Sequence, residues 1–356
     1  MNRAAWLLGT ALLAGCGARQ LPPMAHCAAA REAIVPTEDG ASVRLHRHPH
    51  AGPPVLLVHG LGSRGQYWDL TATQSMLRVL NEAGFDAWAL DLRGHGGHQE
   101  TADGAHLRVG WTLDDYGRFD LKAAIDHIRA ETGSEQVAYV GHSMGGMVAA
   151  VYHAWHGDDA LSAVVILASP VDFAHPDPFQ ELSRVAFRVG QALPTFPVDA
   201  FARLFARTGR LPLHGEELLY TPDNLDEETR LAMYHRGVGE VSRGEMRHLL
   251  EVLHTGKLAS VDGKRDYLGA LETLDVPLMV IAGRADAIAP PDRVWPFYAR
   301  AGSTDKTWTL AGRDNGFAAD YGHLDLTAGV HAPHEIHPLI TDWLTARLDG
   351  AGTEAP

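Results

Sequence analysis

Cysteine is nearly absent: the 356-residue chain carries only Cys16 and Cys27. That excludes a disulfide framework, even in an oxidising compartment. The uncharged run at the N-terminus, Ala4 to Ala14, is too short to span a bilayer as a helix. Positive charge is also in short supply, with 30 Lys and Arg against 44 Asp and Glu and a formal net charge of −14. This balance argues against a nucleic-acid partner. No P-loop, no Rossmann fingerprint and no closed Cys/His metal cluster is read in the chain, so neither cofactor nor metal is expected. What is present is ordinary globular composition, 46% hydrophobic and 21% charged. The length fits one large α/β domain with an insertion, or two small domains.

The N-terminus reads as an address rather than as part of the fold. Met1-Asn2-Arg3 is a short basic start, and the apolar run from Ala4 is a signal-peptide core. Leu13-Ala14-Gly15-Cys16 resembles a bacterial lipobox. The resemblance implies that residues 1–15 are removed and that Cys16 is diacylated as the mature N-terminus. Two or three acyl chains hold a protein stably, at about 0.8 kcal/mol per buried methylene. Residues 16–31, with Pro22-Pro23, then form a lipidated tether. Gly17 in place of aspartate implies outer-membrane sorting over inner-membrane retention, within a bacterial cell envelope.

Two short strands, Arg31 to Val35 and Ser42 to His48, flank an Asp39-Gly40 turn. His46, His48 and His50 alternate here and are expected to be solvated rather than metal-bound. Val55 to Val58 is apolar on both faces, as in a central parallel strand. Tyr67 to Asn81 has helical spacing, Phe85 to Leu90 is a buried strand, and Asp114 or Asp115 is the expected cap of a helix to about Glu131. Further strands follow at 136–140 and 160–169. From Val171 to Asp266 no buried strand is read, only amphipathic helix candidates, and the βα rhythm resumes at Val276. The prediction is a doubly wound, mostly parallel α/β sheet with a helical cap inserted after the sixth strand. Residues 32–170 and 267–350 make the core, and 171–266 the cap.

The chain is organised around Gly141-His142-Ser143-Met144-Gly145, which lies between an apolar run and small, helix-compatible residues. A serine at such a strand-to-helix turn is exposed, and the flanking glycines let strand and helix approach. A serine hydroxyl needs a base to take its proton, and the base needs a third group to orient it. Asp286 lies just beyond the strand Val276 to Gly283, and His323 follows the strand Thr307 to Leu310. Asp172, beyond another strand end, is a rival acid. Asp292 reads as a helix start and Asp325 as support for the histidine loop. Asp91 and Arg93 read as braces of a turn. His331, His334 and His337 are spaced in threes, and a solvated face is expected there rather than zinc.

With Val58-His59-Gly60-Leu61-Gly62, Asp91-x-Arg93-Gly-His-Gly96 and Gly283-x-x-Asp286, the chain resembles the α/β-hydrolase superfamily over about Ile34 to Leu348. Trp111 to Ile128 and His323 to Gly329 are similar to segments of the acid-lipase group. The resemblance implies Ser143 as nucleophile, His323 as base and Asp286 as its orienter. It also implies the N–H groups of Leu61 and Met144 as the oxyanion hole. The expected activity is cleavage of carboxylic esters without a cofactor, on a small-molecule or lipid ester substrate. Thioester or amide cleavage on the same triad is an alternative, as is a non-catalytic surface binding module. Phe179, Phe187, Phe196, Phe201 and Phe205 either line a hydrophobic acyl site or pack the cap on the core.

Overall fold

The computed structural model describes residues 30–96, 110–175, 177–208 and 216–348. Cys16, Cys27 and the lipobox lie outside these residues. Buried runs of branched and small apolar side chains build the sheet. β3 (Pro54–Val58), β4 (Asp86–Asp91) and β5 (Val137–His142) are buried at every position. β1 (Arg31–Pro36) and β2 (Ser42–His48) form an antiparallel hairpin, turned at Gly40 with φ 86°. With β6 (Leu161–Leu167), β9 (Leu278–Gly283) and β10 (Lys306–Ala311), the order across the sheet is β1-β2-β4-β3-β5-β6-β9-β10. From β4 onward every neighbouring pair is parallel. Parallel strands need covered faces, and helices such as Lys122–Thr132, Met144–His156 and Ile336–Leu348 supply the cover.

Between β6 and β9 the chain is helical, as expected from its periodicity. Helices Pro178–Gly190, Val198–Thr208 and Arg243–Thr255 are the longest there. The only strands in this segment, among the described residues, are β7 (Thr195–Phe196) and β8 (Val241–Ser242), a two-residue ribbon. No helix of the described residues is long and apolar enough to cross a membrane.

Several local expectations fail for identifiable reasons. Tyr67 to Asn81 is not one helix but a turn at Gly65–Trp68 followed by the helix Met76–Glu82. Its hydroxyls interrupt the backbone pattern. Thr71 Oγ1 accepts from Gln74 N–H at 3.0 Å, and Ser75 caps the second helix by accepting from Arg78 N–H at 3.0 Å. The cap of the next helix is Thr112, in a capping box with Asp115, rather than either aspartate alone. Of the alternating histidines, His50 is exposed as expected, but the two in β2 are not free in solvent. His46 donates to Asp91 at 3.0 Å, and His48 is buried beside Asp69. His337 is buried too, donating to Thr327 O at 2.8 Å, while His334 is exposed. Burial depresses His337 to about 4, so it sits neutral in the core. No metal-holding group of His, Cys, Asp or Glu occurs among the described residues.

Candidate active site

Ser143 sits between β5 and the helix Met144–His156 with φ 54° and ψ −119°, an uncommon conformation for a residue with a side chain. The surrounding packing imposes it. A Cβ on Gly145 would meet Val58 O at 2.4 Å, and one on Gly141 would meet Tyr139 Cε1 at 2.7 Å. Only glycine at both positions lets β3, β5 and the helix close around the turn. Ser143 N–H donates to Leu167 O at 2.8 Å, pinning the turn to the end of β6.

The other two side chains arrive from the ends of β9 and β10. Gly283 closes β9, and a Cβ there would meet Tyr321 O at 2.5 Å, so the histidine loop lies directly on that strand end. Asp286 Oδ1 accepts from the N–H groups of Ile288 at 2.9 Å and Ala289 at 2.7 Å. This leaves Oδ2 to accept from His323 Nδ1–H at 2.8 Å. With Nδ1 protonated, Nε2 is the free lone pair, and it lies 2.9 Å from Ser143 Oγ. All three residues are buried. Asp172, the rival acid, turns instead to its own loop and accepts from Ala174 N–H at 2.9 Å.

Neighbouring groups hold this arrangement. His142 Nε2–H donates to His323 O at 3.0 Å, and the two rings lie 4.8 Å apart. Burial, and then the nearby His323, hold His142 well below the usual histidine range, so it is a neutral donor. His59 donates from Nδ1 to Gly60 O at 2.9 Å and accepts from Leu92 N–H at 3.3 Å. Burial depresses His59 to about 3. Both histidines are therefore held as neutral, structural groups. Asp325 supports the histidine loop, accepting from Gly322 N–H at 3.0 Å, Thr221 N–H at 3.1 Å and Asn224 Nδ2 at 2.9 Å. Asp91 braces the turn at Gly65 at 2.5 Å, and Arg93 is clamped between Asp120 and Asp39.

Met144 is the first residue of its helix, so its N–H has no intrahelical acceptor. Leu61 follows Gly60, whose added Cβ would lie 3.0 Å from Ser143 Cβ. Both Leu61 and Met144 line the same cavity as Ser143 and His323. That cavity measures about 420 Å³ and is mostly apolar, with Phe173, Phe179, Phe187 and Leu249 in its walls. Its volume is in the range of small-molecule sites, roughly 300–1,000 Å³. Phe196 is not in the cavity wall, and the side chains of Phe201 and Phe205 lie outside those described.

Gly60-Leu61-Gly62-Ser63-Arg64-Gly65 spells G-x-G-x-x-G after β3, yet it lacks the helix that a Rossmann fingerprint requires. It opens a single turn at Gly65–Trp68 instead of a helix able to seat a pyrophosphate.

A family model described as alpha/beta hydrolase fold matches residues 53–323. The chain belongs to the α/β-hydrolase family. Among curated relatives, it is 25% identical over 325 residues to the poly(3-hydroxyalkanoate) polymerase subunit PhaC of Haloferax mediterranei. That match covers 85% of this hydrolase but 61% of the relative, so the chain spans less than two thirds of that protein's length. The human lysosomal acid lipase/cholesteryl ester hydrolase is 33% identical over 196 residues, covering 51% of this chain and 43% of the lipase. A thermophilic esterase from Thermogutta terrifontis superposes with a TM-score of 0.61 at 18% identity, over 89% of this chain and 99% of the esterase.

Two residues that touch this site carried no signal distinctive enough to single them out. Gln180 lines the cavity, and a lone amide among the inward positions Phe179, Ser183 and Phe187 was the available clue. Asn224 reaches Asp325 across 101 residues of sequence, and nothing local announces it.

Proposed function

We propose that this α/β hydrolase is a serine carboxylesterase of lipase-like type, acting through an acyl-enzyme. One observation carries the reading. His323 bridges Asp286 at 2.8 Å and Ser143 at 2.9 Å on the wall of an apolar cavity. Ser143 Oγ attacks the ester carbonyl carbon as His323 Nε2 takes its proton. Asp286 keeps Nδ1 protonated and stabilises the imidazolium. The N–H groups of Met144 and Leu61 receive the oxyanion, each such donor being worth about 3 kcal/mol of the barrier. Collapse expels the alcohol with the proton from His323, and water then repeats the sequence to release the acid. The apolar walls favour a hydrophobic acyl chain, which agrees in kind with the relative named lysosomal acid lipase/cholesteryl ester hydrolase.

Residues 171–266 act as the cap in this reading, since several of them, including Phe179, Leu219 and Leu253, wall the cavity. Anchoring through a lipidated Cys16 in a bacterial envelope belongs to the same proposal and rests on residues 1–17 alone. A fluorophosphonate probe should label the full chain and fail to label Ser143→Ala, with p-nitrophenyl ester turnover lost in parallel. Equal labelling of both proteins would remove the nucleophile. Faster turnover of an acyl thioester or an aminoacyl amide than of any ester would move the activity to that bond.

A further inference from the structure

Polar side chains in the cavity wall are nearly all bonded within the protein. Ser63 Oγ donates to Gly237 O at 2.8 Å, and the Tyr67 hydroxyl is bonded to Thr327 and to Leu324 O. His142 donates to His323 O, and the Tyr234 and Tyr220 hydroxyls pair with each other. Gln180 differs. Only 4% of it is exposed, it lines the cavity, and its Oε1 is buried with no partner. Its backbone is not in need of the amide, because its N–H already donates to the capping Asp177 at 2.8 Å. Ser183, one turn further along the same helix, lines the cavity beside it.

A buried amide left unpaired is costlier than an apolar residue of the same shape. Phe179 and Phe187 show that this helix face takes apolar residues readily. A leucine or methionine at 180 would fill the wall at no such cost, so the amide is kept for a group that the substrate brings. We infer that Gln180 is a polar subsite in this cavity, selecting esters that carry a hydroxyl group on the acyl chain or on the alcohol. The inference rests on the esterase reading and adds the substrate class to it. A hydroxyl both donates and accepts, so it satisfies the amide whichever end is presented. A deoxy ester leaves the amide unpaired, and a site built to bond a hydroxyl discriminates strongly against the analogue that lacks it.

The test uses the full chain in detergent and two substrate pairs. In the acyl arm, p-nitrophenyl 3-hydroxyoctanoate is compared with p-nitrophenyl octanoate. In the alcohol arm, 1-monooctanoylglycerol is compared with propyl octanoate. Wild type should prefer the hydroxylated member of one arm, and that arm tells which side of the ester faces Gln180. Gln180→Met, similar in volume, should lower that kcat/KM ratio by roughly tenfold or more. A wild-type ratio near one in both arms overturns the subsite, as does an equal loss on both members of a pair in Gln180→Met. Failure to cleave any of the four esters, with no fluorophosphonate labelling, would instead overturn the esterase reading beneath it.

Discussion

The carboxyl edge of the sheet and the helical segment that faces it, both walls of one cavity, handle polar and apolar groups in opposite ways. At the sheet edge Ser143, Asp286, His323 and His142 are buried, and each has a defined partner between 2.8 and 3.0 Å. In the helical segment, Gln180, in the cavity wall, keeps a buried amide oxygen without a partner, while Leu182, Val185 and Val189 stand 57%, 61% and 68% exposed on the outside. The difference matches two jobs in the proposed reaction. Moving a proton from serine to histidine needs distances fixed before substrate arrives, whereas recognising a substrate needs atoms left free to meet it.

Three measurements press on that contrast. The largest effect falls on the acids. Asp286→Asn should lower kcat by about 10⁴-fold, because the histidine loses the partner that sets its tautomer. Asp172→Asn, in the segment, should stay within a few-fold of wild type; the reverse pattern would relocate the acid. Next is packing. Gly145→Ala places a methyl 2.4 Å from Val58 O and should cost about 3 kcal/mol or more in urea unfolding. Val185→Ala on the outer face should stay within about 0.5 kcal/mol. Similar losses in both would erase the distinction between the two walls.

The smallest effect lies where the regions meet. Burial raises Asp325 from 3.8 to about 6, although Asn224, Gly322 and Thr221 all donate to it. A carboxyl raised on folding is at its most stabilising below pH 4, and that contribution is lost as pH rises through 6. Over that window it amounts to at most about 3 kcal/mol. The stability of wild type relative to Asp325→Asn should therefore shrink between pH 4 and 6.5 when followed by denaturant midpoint. A difference that is flat with pH would mean that Asp325 is not perturbed by folding.

Much of this was legible in the residues. The parallel core announced itself through runs apolar on both faces, and Ser143, Asp286 and His323 through their places at strand ends. Asp286 and Asp172 could be told apart only in space, because both follow strands and only one carboxylate turns toward the histidine. Side-chain hydroxyls hid the break after Trp68, since Thr71 and Ser75 act on backbone groups that periodicity ignores. The burial of His48 and His337, and the pairing of His46, were misread because a histidine looks polar in sequence yet packs well once one nitrogen finds a partner. Gln180 and Asn224 were silent for the same reason in reverse: what matters is a partner absent, or one 101 residues away.

The separation of Ser143 from His323 by 180 residues also has a meaning in time. A ribosome adding about 5–20 residues per second exposes the serine turn roughly ten to forty seconds before the histidine. During that interval the nascent chain holds a serine with no base beside it. The histidine loop is also fastened through Asp325 to Thr221 and Asn224. The proposed nucleophile and base therefore share one chain only once residue 323 has been made.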